Sequence, residues 1–124
     1  MRTPRADLGR RSQRLGMDSE SIACAALEAD GWTILARRLR TPAGEIDIAA
    51  ERAGLLALIE VKARPVLSDA AAALTLRQRK RLLAAGEIAL AEHPHWGKEG
   101  VRFDVLVVDA HGAVRRITDA FRLE

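Results

Sequence analysis

Residues 44–62 read GEIDIAAERAGLLALIEVK, two apolar runs separated by a turn signal at 51–54. Asp47 lies within the first run, and Glu60 and Lys62 lie two residues apart in the second. Because side chains alternate between the two faces of a strand, Glu60 and Lys62 are expected on one face. Two carboxylates and an ammonium gathered on one sheet face would form a divalent-metal site with a charged assistant. The stretch therefore predicts a β-hairpin that carries a candidate metal site.

A tight turn between the two runs would set the register of this hairpin. Ala50 would then pair with Leu55. In that register Asp47 lies opposite Leu58 and Glu60 is its diagonal neighbour, with Cα atoms about 7–8 Å apart. Two carboxylates about 5 Å apart repel by roughly 3 kcal/mol at an effective dielectric near 20, and a bound Mg²⁺ would offset that repulsion. Without a cation, one of the two acids should have a raised pKa.

The flanking sequence predicts helices and strands in an order that suits one α/β sheet. Thr75-x-x-Gln78 is a capping-box pattern, which predicts that a helix begins there. The run 55–62 is apolar on both faces, which favours a central strand, and its alternation with a helix and a later strand favours a parallel crossover. Alternation also places Ile46 and Ile48 on one face of their strand. The predicted helices are 18–30 and 76–93, and the predicted strands are 32–35, 45–50, 55–62, 101–109 and 113–117.

Composition limits the class of protein. The chain has 124 residues, which suits one domain, and 48% of them are hydrophobic. It carries 20 Lys and Arg against 17 Asp and Glu, and we expect a flexible basic arm at 1–15 ahead of a single domain at 16–124. No apolar run approaches the roughly 18 residues that a membrane span needs, and no signal-peptide core follows Met1. The lone Cys24 fits a reducing compartment, so we expect a cytoplasmic protein with no membrane partner.

Each motif by itself has a plainer interpretation. Glu-x-Lys on a strand is usually an exposed salt bridge worth less than about 1 kcal/mol. Cations crowd the first turns of the second helix, a pattern that is equally typical of an anion-binding surface and of a solvated face. His93 and His95 are close in sequence without a third ligand nearby, so a metal site there is not favoured. A catalytic or metal-binding site is favoured only by the combination of Asp47 with Glu60 and Lys62 on adjacent strands.

An acid followed by Glu-x-Lys on a hairpin resembles the PD-(D/E)xK nucleases, which have the restriction-endonuclease-like fold. The chain resembles one family more closely, the YraN family of bacterial nuclease-like proteins, which are similar to archaeal Holliday-junction resolvases. The resemblance implies an αβββαβ core with a mixed central sheet flanked by helices. It covers nearly the whole chain from Gly16 onward, and its motifs are Gly16 to Glu20, Gly44 to Asp47, Glu60 to Lys62, Arg102 to Val105 and Asp119 to Phe121.

The resemblance also implies a role for each residue of the candidate site. Asp47 and Glu60 would be ligands of Mg²⁺ or Mn²⁺, and the Val61 carbonyl would complete the set. Lys62 would orient the attacking water or stabilise the charge that develops on the phosphate. Glu20, on the first helix, would lie near the metal as an accessory ligand. Together these roles imply phosphodiester hydrolysis by in-line displacement at phosphorus.

Nucleic acid is the expected partner, and DNA is the expected kind. Aromatic residues make up 3% of the chain and tyrosine is missing from it, so a base-stacking platform is not expected. Affinity should come from cations on phosphates and fall with salt, which favours recognition of shape over sequence. Gln78 is expected near the site or the nucleic-acid backbone, and Asp104 is expected to have a structural role. The candidate phosphate contacts are Arg37, Arg38, Arg40, Arg64, Arg77 and Lys80.

Three functions remain open on the sequence alone. The first is a metal-dependent endonuclease that acts on branched or structured DNA. The second is a non-catalytic nucleic-acid-binding protein that keeps the nuclease fold, and the third is an accessory protein whose acidic pocket is only structural. The combination of acids and lysine in the candidate site favours the first over the second. An enzyme with one active site per chain would need a homodimer to cut two strands symmetrically.

Overall fold

The structure is a computed structural model that describes residues 18–66 and 74–121. The predicted basic arm lies outside these residues. The elements run in the order α1-β1-β2-β3-α2-β4-β5, as the sequence predicted. Within the described residues, no helix has the length and apolar character needed to cross a membrane. The helices are α1 (Ser19–Ala29) and α2 (Leu76–Glu92), and the strands are β1 (Thr33–Thr41), β2 (Gly44–Arg52), β3 (Leu55–Ala63), β4 (Gly100–Val108) and β5 (Val114–Phe121).

The five strands form one mixed sheet in the spatial order β1-β2-β3-β4-β5. Strand β3 is central, as predicted, and is buried from Leu56 to Glu60. It pairs antiparallel with β2 and parallel with β4, and α2 makes the connection between the two parallel strands. This mixed α/β sheet flanked by two helices confirms the predicted fold class and is consistent with a restriction-endonuclease-like core.

Two hydrophobic clusters, one on each face of the sheet, hold the helices in place. Alternate residues from Leu56 to Ile59 of β3 enter the α2 cluster and the α1 cluster in turn. In β2, however, Ile46 belongs to the α2 cluster and Ile48 to the α1 cluster, so the prediction that they share a face is wrong. The alternation is interrupted at the residue between them, Asp47, whose side chain engages the backbone of β3.

Helix α1 and helix α2 both begin at capping residues, and the sequence predicted the capping box at Thr75. Asp18 Oδ1 accepts the N–H of Ser21 at 2.8 Å at the start of α1. At the start of α2, Thr75 Oγ1 accepts the N–H of Gln78 at 3.1 Å, and Gln78 Oε1 accepts the N–H of Thr75 at 2.9 Å. Each of these bonds satisfies a donor that the helix itself leaves unpaired.

Strand β1 is longer than predicted, since it extends from Thr33 to Thr41 rather than over 32–35. Among the described residues it is an edge strand with one neighbour, and its second half is rich in arginine and largely exposed. Apolar alternation, on which the prediction depended, is therefore missing from that half. The register against β2 shifts between Ile34 and Ala36, so the pairing is irregular there.

The turn between β2 and β3 is tighter than the predicted four residues. Arg52 pairs with Leu55, which leaves Ala53 and Gly54 as a two-residue turn. Their φ angles are +52° and +82°, as a type I′ hairpin turn requires. Ala53 has a Cβ and therefore adopts this left-handed conformation at a cost that glycine avoids.

The tighter turn shifts the hairpin register by two residues. Ala50 pairs with Ala57, and the predicted pairing of Ala50 with the first residue of β3 is wrong. Because the side-chain period of a strand is two, a shift of two residues keeps the relative facing of paired side chains. The prediction that Asp47 and Glu60 come together therefore survives the change in register.

Candidate functional site

Backbone pairing between β2 and β3 ends where the candidate acids lie. The last paired residues are Ile48 and Ile59. Just beyond them, the N–H of Val61 donates to Asp47 Oδ2 at 2.8 Å, so a side-chain oxygen replaces a strand carbonyl. Extending the register by one residue brings Asp47 opposite Glu60, closer than the diagonal relation expected from the sequence. The two carboxylates therefore belong to one site at the point where the strands part.

Asp47 is destabilised in its charged form. Its pKa is raised to about 6, first by burial and then by nearby negative charges. Those charges belong to Glu60, Glu20 and Glu45. The N–H of Val61 opposes the shift because it hydrogen-bonds the ionised carboxylate. Burial therefore contributes most to the raised pKa of Asp47, and the neighbouring carboxylates add to it.

The two oxygens of Glu60 have different surroundings, and the residue as a whole is only 7% exposed. Oε2 lies 3.2 Å from Lys62 Nζ and 3.7 Å from Arg81 Nη2, so Glu60 and Lys62 share a face as predicted. Oε1 is buried and has no hydrogen-bond partner within the described residues. Burial removes water from this oxygen, and no hydrogen bond within the described residues offsets the cost in free energy. A metal ion bound to the oxygen would offset that cost. The orphaned oxygen beside a second carboxylate fits the oxygen donor set that Mg²⁺ prefers.

Glu20 lies on α1, where arginines of β1 bind it. Arg38 Nε donates to Glu20 Oε1 at 2.8 Å, and Arg37 Nη2 lies 3.9 Å from the same oxygen. Asp18 joins this group at 3.2 Å from Arg38 Nη2. In the part of the chain that the structure describes, no three side chains of Asp, Glu, His or Cys are grouped so as to hold a metal ion. Glu20 therefore influences Asp47 through its charge, and the direct carboxylate candidates are a pair.

The candidate phosphate contacts on β1 differ in how strongly acids already bind them. Arg37 and Arg38 pair with the two acids at the start of α1. Arg40 is 89% exposed in its side chain and lies 3.8 Å from a Glu45 carboxylate oxygen. Exposed pairs of this kind are worth less than about 1 kcal/mol, so a phosphate could compete for Arg40 readily.

The remaining candidates lie at the end of β3 and on the first turns of α2. Arg64 donates to the Ala63 carbonyl at 2.8 Å. Arg77 and Lys80 are exposed. Gln78 uses its side-chain oxygen in the helix cap, so that oxygen is already bonded to the protein itself.

Arg81 is a site residue that sequence reasoning did not single out. Its Nη2 lies 3.7 Å from Glu60 Oε2, on the side where Lys62 also approaches. The available signal was helical spacing, since Arg77 and Arg81 are four residues apart and so share a helix face. Spacing alone does not show which helix face meets the end of β3, and the tertiary structure supplied that fact.

Asp104 belongs to a different group of charges. It is 1% exposed, and its carboxylate lies 3.1 Å from Arg102 Nε and 3.3 Å from Arg116 Nη2. Arg116 also reaches Asp30 at the end of α1, and both arginines lie over the ring of Trp32. These contacts connect α1, β4 and β5 and fit the structural role that the sequence suggested for Asp104.

Comparison with known proteins gives the family. The Uncharacterised protein family UPF0102 matches residues 19–108, a range that includes the acids and the lysine of the candidate site. A UPF0102 protein of Granulibacter bethesdensis is 66% identical over 94% of this chain and 73% of its own length. UPF0102 proteins of Azorhizobium caulinodans and Rhodopseudomonas palustris are each 47% identical over 88% and 87% of this chain, respectively, and 83% of their own lengths. The chain belongs to the UPF0102 (YraN) family, as its motifs predicted.

Proposed function

We propose that this protein is a metal-dependent endonuclease that hydrolyses phosphodiester bonds in structured or branched DNA. The observation that carries the proposal is the pair formed by Asp47 and Glu60. One acid has a pKa raised by burial and like charges, and the other has a buried oxygen without a hydrogen-bond partner in the described residues. Both features would be relieved by one divalent cation, and Lys62 lies beside them.

In the proposed mechanism the chain's own residues bind and orient the reacting groups. Asp47, Glu60 Oε1 and the Val61 carbonyl would hold Mg²⁺ or Mn²⁺. When bound, such a cation supplies Lewis-acid activation of the phosphate and of a water molecule. Lys62 Nζ is held at Glu60 Oε2, where its positive charge would stabilise the negative charge that develops on the phosphate.

The exposed cations support DNA as the substrate and shape as the basis of recognition. Arg40, Arg77 and Lys80 offer exposed positive charge that does not depend on base identity. Aromatic residues make up only 3% of the chain, so stacking of successive bases contributes little. We expect affinity that falls steeply as salt concentration rises and depends on branching more than on sequence.

A cleavage assay tests the catalytic assignment. The purified protein is mixed with Mg²⁺ or Mn²⁺ and with linear, flapped and four-way DNA of one common sequence. Asp47→Ala and Lys62→Ala are each expected to lower the cleavage rate by about a hundredfold or more, as loss of a charge-stabilising group does. Lys98→Ala, which removes an exposed lysine far from these acids in sequence, is the matched control. Cleavage by Asp47→Ala at the rate of the unaltered protein would refute the assignment.

Thermal unfolding with Mn²⁺ tests the metal site without any substrate. At a Mn²⁺ concentration of about 100 Kd, binding to the native state should add about 2.7 kcal/mol to the free energy of unfolding. Glu60→Gln keeps the side-chain volume but removes the negative charge, and we expect it to abolish most of this gain. Glu92→Gln makes the same change at an exposed position of α2 and should keep the gain.

A non-catalytic nucleic-acid-binding protein is the second candidate. It is favoured by the engagement of Glu20 with Arg38, which leaves Asp47 and Glu60 as the pair of direct carboxylate ligands among residues 18–66 and 74–121. Under this alternative, DNA binds and Mn²⁺ stabilisation is weak or missing. The cleavage and unfolding measurements together therefore separate the two functions.

A further inference from the structure

The side chain of Arg81 reaches the candidate site through a gap that only glycine leaves open. A Cβ on Gly44 would lie 2.8 Å from Arg81 Cδ and 2.9 Å from Arg81 Cγ. Real Cβ atoms essentially never approach other atoms below 3.0 Å, so an alanine at this position would push Arg81 away from its present path. Because Gly44, the first residue of the Gly-Glu-Ile-Asp motif, has no side chain, the Arg81 side chain of α2 can pass close to the backbone of β2.

Lys62 and Arg81 approach the same oxygen of Glu60 in different ways. Lys62 Nζ lies at 3.2 Å and its side chain is 14% exposed, whereas Arg81 Nη2 lies at 3.7 Å and its side chain is 42% exposed. A separation of 3.7 Å is an ionic contact beyond hydrogen-bonding range. The Arg81 guanidinium is therefore held near the carboxylates by charge while it remains open to solvent.

We propose that Arg81 is a substrate-binding residue of this site, whose guanidinium takes the nonbridging oxygens of the phosphodiester once a divalent cation occupies the two carboxylates. The inference rests on the proposed function and adds a residue to it. Arg81 now has Glu60 as its anionic partner, at 3.7 Å. With a divalent cation held by Asp47 and Glu60, that attraction would be weaker, and Arg81 would take a phosphate oxygen as its partner instead. The planar guanidinium suits a phosphate better than an ammonium does, because its donors match two oxygens at once.

Cation affinity and DNA affinity should respond in different directions when Arg81 is lost. In Arg81→Ala, Mn²⁺ measured by titration calorimetry should bind as tightly as before or more tightly, because a positive neighbour of Glu60 has gone. Branched DNA measured in Ca²⁺ should bind at least about tenfold more weakly, the range for a hydrogen bond to a charged group. The slope of log affinity against log salt should fall by about 0.9, as for one phosphate contact. Arg79→Ala, an exposed arginine on the same helix, is the control.

Gly44→Ala provides a second approach to the same residue. Gly44 has a φ of +141°, so alanine also strains the backbone there, and circular dichroism first verifies that each variant is folded. In folded protein, Gly44→Ala should weaken DNA binding where Arg81 is kept and have a smaller effect in the Arg81→Ala background, which a double-mutant cycle measures. Weaker Mn²⁺ binding in Arg81→Ala would overturn the inference, since it would make Arg81 a positioning residue for Glu60. Equal DNA affinity in Arg81→Ala and Arg79→Ala would also overturn it.

Failure of the proposed function is distinguishable from failure of this inference. If the unaltered protein binds DNA but does not cleave any of the branched substrates, the nuclease assignment fails, and the Mn²⁺ and DNA affinities of Arg81→Ala still decide the role of Arg81. If the unaltered protein cleaves DNA and Arg81→Ala behaves like Arg79→Ala, the nuclease assignment stands and the role of Arg81 is refuted. If the unaltered protein does not bind DNA in Ca²⁺, both are refuted.

Discussion

Asp47 combines a backbone role with an electrostatic one. Its carboxylate accepts the N–H of Val61 where pairing between β2 and β3 stops, and that bond fixes the side chain. Burial and three neighbouring acids oppose its charge and raise its pKa to about 6. A single residue therefore places a carboxylate where a cation would be held and makes the protein less stable when no cation is there.

Replacement of Asp47 by asparagine should stabilise the metal-free protein at neutral pH. Because the folded-state pKa is raised above the unfolded value, Asp47 favours folding fully below pH 3.8, and this contribution is lost as pH rises through about 6. After allowance for solvent screening, Asp47→Asn should add on the order of 1–2 kcal/mol to the free energy of unfolding at pH 8. Urea unfolding in EDTA at pH 4 and pH 8 measures the effect.

The measurement at pH 4 is the control for the stability gained by Asp47→Asn at pH 8. Asparagine keeps an oxygen that can accept the N–H of Val61, so the hydrogen bond itself is preserved. The gain should therefore shrink toward zero at pH 4, where Asp47 is mostly neutral. A gain of the same size at both pH values would show that the charge of Asp47 is not its cause.

One two-residue turn decides the register between β2 and β3. The β2–β3 turn at Ala53 and Gly54 shifts the register by two residues relative to a four-residue turn. It brings Asp47 from a diagonal position to one opposite Glu60. The sequence indicated a turn here, but an alanine at the first position of a type I′ turn is unfavourable and hid the turn type. Local propensity was overruled by the pairing of two long, buried strands.

The Ala53 turn offers a stabilising substitution at the scale of one element. Ala53 has a φ of +52°, in the left-handed region that costs most residues about 1–2 kcal/mol and that asparagine tolerates. Ala53→Asn, which creates the favoured Asn-Gly turn, should raise the free energy of unfolding by about 0.5–1 kcal/mol. Ala91→Asn, on an exposed position of α2, should lower it slightly through helix propensity. Chemical denaturation of both variants tests the sign, and destabilisation by Ala53→Asn would contradict the turn assignment.

At the scale of the whole molecule, two buried or half-buried acids have opposite effects on stability. Asp104 is paired with Arg102 and Arg116, and these contacts connect α1 with β4 and β5. Asp47, in contrast, is surrounded by other acids. The carboxylate with cationic partners connects elements of the fold, and the carboxylate with acidic neighbours is the one for which we propose a cation.

Asp104→Asn should destabilise the protein although the same change at Asp47 stabilises it. Loss of the charge leaves Arg102 and Arg116 partly buried without their carboxylate, at a cost of about 2–4 kcal/mol. The melting temperatures of the two variants, measured together in EDTA at pH 8, should move in opposite directions from that of the unaltered protein. A shift in the same direction for both would refute the division between a structural and a ligand-binding acid.

Local patterns determined the parts of the fold that depend on local chemistry. The capping box at Thr75 predicted the start of α2. The run from Leu55 to Lys62, which is apolar on both faces, predicted the central strand. Both signals depend on residues that are close together in the sequence. The length of β1 was missed because an edge strand needs no apolar alternation. The order of elements and the motif residues were enough to predict the fold class and the family.

Only the tertiary structure decided which side chains share the candidate site and how they are charged. Asp47 lies opposite Glu60 because the turn has two residues and backbone pairing ends at Ile48 and Ile59. Glu20 is bound by Arg38. Arg81, on a helix far away in sequence, passes the backbone at Gly44 to reach Glu60. These relations depend on packing between segments far apart in the chain. A sequence specifies the residue types and their spacing, but distances and pKa values follow from burial and from neighbours that only the folded chain brings together.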